Sequence, residues 1–112
     1  MNKDRIADVL ALAYAALYLE PELFDYSIED PWSEEQAAKR SEARRAILRL
    51  VDELRGARTL DDASVASVKT VLNLADDALA AKPTCGPSGW TRAQTIIRRD
   101  AKRAIRRVLK EF

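Results

Sequence analysis

The chain matches itself, and that match constrains its fold more than anything else in it. Residues 32–54 align with 90–112 without a gap. Trp32 meets Trp90, Gln36 meets Gln94, and Arg40, Ala43, Arg45, Ala46, Ile47, Arg49 and Glu53 meet Arg98, Ala101, Arg103, Ala104, Ile105, Arg107 and Glu111. Nine of 23 positions are identical and six more are close, Ser33 with Thr91 among them. Residues 6–21 align with 68–83 and keep seven of 16, including Val9 with Val71, Leu17 with Leu79 and Pro21 with Pro83. Matched alanines and leucines are cheap in helical sequence; matched tryptophans, cap residues and prolines are not. The two registers differ by four residues, and the difference falls at 22–31 against 84–89, where loops tolerate insertion.

The elements inside each copy read as helices. Ile6, Val9, Leu10, Ala13, Tyr14 and Leu17 form one stripe at helical spacing, while Leu12, Tyr18 and Leu19 lie off it. Ser33-Glu34-Glu35-Gln36 and Thr91-Arg92-Ala93-Gln94 are capping boxes, each behind a tryptophan. Ala43, Ile47, Leu50, Val51 and Leu54 follow the first box, and Ile97, Ala101, Ala104, Ile105, Val108 and Phe112 follow the second. Val65, Val68, Leu72, Ala75 and Leu79 form the remaining stripe, behind the acids Asp61 and Asp62. The spacing predicts helices near 4–19, 33–55, 61–81 and 91–110, the first the most buried.

A hairpin of two helices has one apolar face and cannot bury it alone. Two copies can close on each other. The expected fold is therefore all-α: a four-helix bundle of two tandem αα-hairpins related by a pseudo-twofold axis. It is expected to be one domain over 1–112, with repeat 1 at about 4–55 and repeat 2 at about 61–112.

Several functions are disfavoured by what the sequence lacks. There is no histidine and one cysteine, Cys85, so neither a zinc site nor a ferritin-type Glu-x-x-His centre can be assembled. The adjacent acids Asp76 and Asp77 point about 100° apart on a helix, which suits a solvated face rather than a catalytic dyad. Cys85 has no base partner in view, and Gly86 and Gly89 are not followed by the lysine of a phosphate-binding loop. No enzyme activity, cofactor or metal is expected. The longest apolar run, Val9–Leu19, is eleven residues, against roughly 20 for a membrane span. That, the single cysteine and the acids Asp4 and Asp8 near the start predict a cytoplasmic protein with no membrane partner.

Two surfaces carry the functional expectations. Net charge is only +1, but residues 63–112 hold ten bases against four acids. Arg92, Arg98, Arg99, Lys102, Arg103, Arg106, Arg107 and Lys110 fall on the half of the last helix opposite its core stripe, a candidate site for an anionic partner. Arg40, Arg44, Arg45 and Arg49 repeat the pattern in diluted form. The stretch 20–35 holds seven acids and three aromatics without a base, and its Phe24, Tyr26, Glu29 and Asp30 are candidate protein-docking residues. The same stretch can instead cover the bundle end or pair with a basic helix. The function expected is a protein-interaction module: a small adaptor, regulator or inhibitor that binds a partner protein. Nucleic-acid binding through the basic helix 91–110 is the alternative. The two-sided apolar character of the first helix also allows a homodimer.

Overall fold

A computed structural model describes residues 3–20, 32–56, 60–82 and 90–112, and these form four helices. They are α1 (Lys3–Leu17), α2 (Glu34–Gly56), α3 (Asp62–Ala80) and α4 (Arg92–Lys110). There is no strand among the described residues. The chain is an all-α four-helix bundle.

The starts of α2, α3 and α4 are fixed by side chains that take up orphan backbone donors. Ser33 Oγ accepts from the Gln36 amide at 3.1 Å while Gln36 Oε1 accepts from the Ser33 amide at 3.0 Å. Thr91 and Gln94 do the same at 3.1 and 3.0 Å. Asp61 caps α3 by accepting from the Ser64 amide at 2.7 Å. The two glutamines do a second job. The Gln36 amide nitrogen donates to the Lys82 carbonyl, just past the end of α3, and that of Gln94 to the Glu20 carbonyl, just past the end of α1. Each capping box thus fastens a helix of one half to the other half.

One apolar cluster draws on all four helices. Ile6, Leu10, Ala13 and Leu17 from α1 meet Val68, Leu72, Ala75 and Leu79 from α3, with Ala43, Ile47, Leu50 and Leu54 from α2 and Ala101, Ile105 and Val108 from α4. The helices α1 and α3 each pack against all three others, and α2 and α4 flank them. As expected, α1 carries the most buried side chains among the described residues. Its off-stripe residues fare differently: Leu12 is partly buried against the core and Leu19 is half-buried, but Tyr18 stays exposed.

Candidate functional site

The ends of α1 and α3 and the starts of α2 and α4 meet at one pole of the bundle. Trp32 and Trp90 face each other there, ring centroids 5.9 Å apart and tilted by 49°. Each carries an arginine on its face. Arg40 Cζ lies 4.0 Å from the Trp32 centroid, and Arg98 Cζ lies 4.2 Å from that of Trp90. Both guanidinium groups then reach the last carbonyls of the neighbouring helix. Arg40 donates to Leu17 O at 2.5 Å and to Leu19 O at 2.9 Å; Arg98 donates to Leu79 O at 2.7 Å. Helix C-terminal carbonyls lack intrahelical donors and sit at the negative end of the dipole, so a buried cation suits them.

This geometry corrects two expectations. Arg98 does not belong to the solvent-facing half of α4: its group is half-buried between Trp90 and the end of α3. Arg40 is not a surface charge of α2 but is 2% exposed. Both lie on the flank of their helix beside the core stripe, and a long arginine stem spans from there into the pole. Burial, followed by repulsion from Arg44 and Arg98, pushes the Arg40 pKa down to about 10, with Glu20 acting in the opposite sense. The group therefore remains charged at neutral pH. Burial likewise lowers Arg98, and it lowers Lys102 together with Arg98 and Arg106, opposed by Asp76. Arg40 Nη1 and Arg98 Nε are buried without a hydrogen-bond partner.

The rest of the basic set takes the expected face. Arg92, Arg99, Arg103, Arg106, Arg107 and Lys110 are exposed on α4, and Lys102 is half-buried at the edge. At 100° per residue the six exposed cations fall within one third of the helix circumference, in a stripe roughly 27 Å long. Ile96, 39% exposed, lies on the same face. Two of the cations have acids: Arg106 Nε is 3.6 Å from Asp76 and Arg99 Nε is 3.7 Å from its neighbour Asp100. Among the described residues, Arg92, Arg103, Arg107 and Lys110 make no ion pair.

A third surface was only partly anticipated. Along the seam between α1 and α2, Tyr14 and Tyr18 stand edge to face with centroids 4.9 Å apart, and the Tyr14 hydroxyl donates to that of Tyr18 at 3.2 Å. That hydrogen bond, with burial, raises the Tyr14 pKa. Arg44 Cζ lies 4.8 Å over the Tyr18 ring, and its Nη1 donates to Leu17 O at 3.1 Å. Leu48 follows one turn later. Tyr18 at 58% and Leu48 at 49% are the most exposed large apolar side chains among the described residues. Sequence spacing marked Tyr18 as off-stripe, but Leu48 passed as an ordinary helix residue. Beside this seam a cavity of about 220 Å³ is lined by Tyr18, Glu20, Trp32, Arg40 and Arg44.

Phe24, Tyr26, Glu29 and Asp30, the candidate docking residues of the acidic stretch, lie outside the described residues, as does Cys85. Among the described residues no three His, Cys, Asp or Glu side chains gather where they could hold a metal ion. No described helix is long and apolar enough to cross a membrane. No protein-family model, no curated protein and no solved structure matches this chain.

Proposed function

We propose that this chain is a non-enzymatic binding module, a small adaptor, regulator or inhibitor of the cytoplasm, and that the outer face of α4 binds an acidic surface of a partner protein. One observation carries the reading: six cations align on that face, and four of them have no acid of their own among the described residues. Only part of this arrangement serves the bundle: Arg106 pairs with Asp76 of α3, and Arg107 and Lys110 suit the dipole of the last turn. Arg92 even stands in the first turn of α4, where the helix dipole favours anions and where α4 has no acid. Five of the six are arginines, whose planar forks suit carboxylates. Ile96 within the stripe adds an apolar contact of the kind found at protein interfaces.

Duplex nucleic acid is the second reading, and the length of the stripe favours it. Against it stand the exposed acids on the other helices, among them Asp8, Glu42, Asp52 and Asp77, and the net charge of +1. A polyanion would meet these acids, whereas a local acidic patch on a protein would not.

The test is a titration of the chain with polyglutamate and, in parallel, with duplex DNA over a salt series. The same titrations are run on a variant carrying Arg92→Glu, Arg103→Glu and Arg107→Glu. Binding of polyglutamate that falls with salt and vanishes in the variant supports the proposal. Binding of DNA alone, with a steep salt slope, transfers the face to nucleic acid. If neither binds, α4 is a solvated face and the reading fails.

A further inference from the structure

The two halves of the chain serve as controls for each other. By the register that pairs 6–21 with 68–83 and 32–54 with 90–112, Tyr14, Tyr18, Arg44 and Leu48 correspond to Asp76, Ala80, Lys102 and Arg106. The α3/α4 seam uses its four positions for charge: Arg106 reaches Asp76 at 3.6 Å, and Asp76 also acts on Lys102. The α1/α2 seam places two tyrosines, an arginine stacked on one of them and an exposed leucine at the same four positions. The bundle therefore packs with a charged seam as well as with an aromatic one. The exposed ring of Tyr18 and side chain of Leu48 are not required by the fold.

We infer that the α1/α2 seam is a second binding surface, distinct from the face of α4, and that it takes an acidic, apolar segment of a partner protein. In this assignment a bulky apolar side chain lies on Tyr14, Tyr18 and Leu48 while an aspartate or glutamate reaches Arg44 at the mouth of the adjoining cavity. Charge selects this occupant. Arg44 and Arg98 both repel the charge of Arg40, and among the described residues of the cavity wall the acid that opposes it is Glu20. Among the described residues, one carboxylate against the two guanidinium groups of Arg40 and Arg44 leaves the wall net positive. Arg40, 2% exposed, adds a buried Nη1 without a hydrogen-bond partner. A second copy of the chain docking through the same seam would bring Arg44 against Arg44, and one docking through α4 would bring more arginine. An acidic segment relieves the charge that either copy would increase. Tyrosine and arginine side by side are also among the residues that dominate binding hot spots.

The experiment selects random linear peptides displayed on phage against the immobilised full-length chain, then measures the enriched peptides by fluorescence anisotropy. The comparison protein carries the residues of the other half: Tyr14→Asp, Tyr18→Ala and Leu48→Arg. Because α3 and α4 hold this set already, the exchanged chain should keep its helical circular dichroism and cooperative melting. Enriched peptides should carry Asp or Glu within one helical turn of a bulky apolar residue. The exchange should weaken them about tenfold or more, as expected for losing hot-spot contacts. If the exchanged chain does not fold, Arg44→Gln replaces it; Gln can still donate to the Leu17 carbonyl but removes the charge, and acidic peptides should again weaken severalfold. The reversal of Arg92, Arg103 and Arg107 should leave these peptides bound, and the exchange should leave polyglutamate bound, which separates failure of this inference from failure of the α4 reading. Peptides that lack carboxylates, that bind the exchanged chain equally or that fail to enrich would overturn it. So would a dimer in light scattering that the exchange dissolves, since the seam would then belong to a second copy.

Discussion

Glu111 closes α4 with its carboxylate held by Arg5 of α1, both oxygens within 2.6 Å of Nη1. Glu53 occupies the corresponding place in α2, and the position corresponding to Arg5 is Ser67 of α3. Glu53 and Ser67 line an open groove of about 330 Å³ instead, with Ala46, Ala66, Thr70 and Val71. At the opposite pole nothing of the kind separates the halves: both have a tryptophan, an arginine on its face, a helix C-terminal carbonyl beneath it and a glutamine crossing over. The contrast sorts the residues. The residues that match at the tryptophan pole hold the helices together, whereas those that differ between the halves include the seam and the face proposed above as binding surfaces.

The largest test of this sorting is in the core. Leu10 and Leu72 are corresponding residues and both are fully buried. Leu10→Ala and Leu72→Ala should each cost about 2–5 kcal/mol in urea denaturation, the range for a leucine cut to alanine in a close-packed interior. A large loss at one site and none at the other would break the correspondence. The tryptophans come next and should not be equal. Trp32 is 8% exposed while Trp90 is only half-buried. Trp32→Ala should approach the ~3–5 kcal/mol of a buried aromatic, and Trp90→Ala should cost clearly less. The opposite order would mean that Trp90, despite its greater exposure, carries more of the packing at this pole.

Arginines give a smaller and sharper comparison. Arg40→Ala removes two charge-assisted hydrogen bonds to carbonyls at the end of α1, each worth about 1.5–3 kcal/mol, but it also removes a buried charge, so the net loss should lie nearer one bond than two. Arg45→Ala, at an exposed position of the same helix, should stay within about 0.5 kcal/mol. Thermal melts of the two variants check the pair. Equal effects would return Arg40 to the surface class in which its charge alone had placed it.

That misplacement shows what the sequence can and cannot disclose. Helix positions were readable because they rest on local signals: the stripe spacing, the two capping boxes and the acids before α3. The ends moved by only one or two residues. For example, α1 stops at Leu17 because Tyr18 and Leu19 turn back onto Ala15 and Ala16, and because Arg40 and Arg44 take the Leu17 carbonyl. The roles of Arg40 and Arg98 were not readable from charge, because an arginine beside a core stripe can snorkel outward or cross inward, and only the neighbouring helix decides. A signal was nevertheless present. Each arginine follows a matched tryptophan by eight residues in both copies, and a repeated pair of that kind marks a contact rather than a solvated face. The α1/α2 seam was harder still. Leu48 becomes notable only once the packing of the helices is seen to leave it exposed, one turn after Arg44.

The smallest expected effect probes the groove directly. Ser67→Arg places a guanidinium where Arg5 stands in the other half, within reach of Glu53. The pair would be solvent-exposed, as Arg5 and Glu111 are at 40% each, so its worth is that of a surface ion pair, about 0.2–1 kcal/mol. In a domain of this size that is a rise of a few degrees in melting temperature at most. Its size must therefore be isolated in a double-mutant cycle with Glu53→Ala, which removes the carboxylate. Stabilisation by Ser67→Arg that disappears in the Glu53→Ala background and in about 1 M salt would show that the groove can hold the same ion pair that Arg5 and Glu111 make in the other half. Arg49 does not interfere on this account, because Arg107 stands in the corresponding place beside Glu111 and Arg5 still binds there. If Ser67→Arg destabilises the chain instead, the halves correspond at the tryptophan pole but not at the other. The helices would then diverge along their length, and arguments that carry a contact from one half to the other would hold only near Trp32 and Trp90.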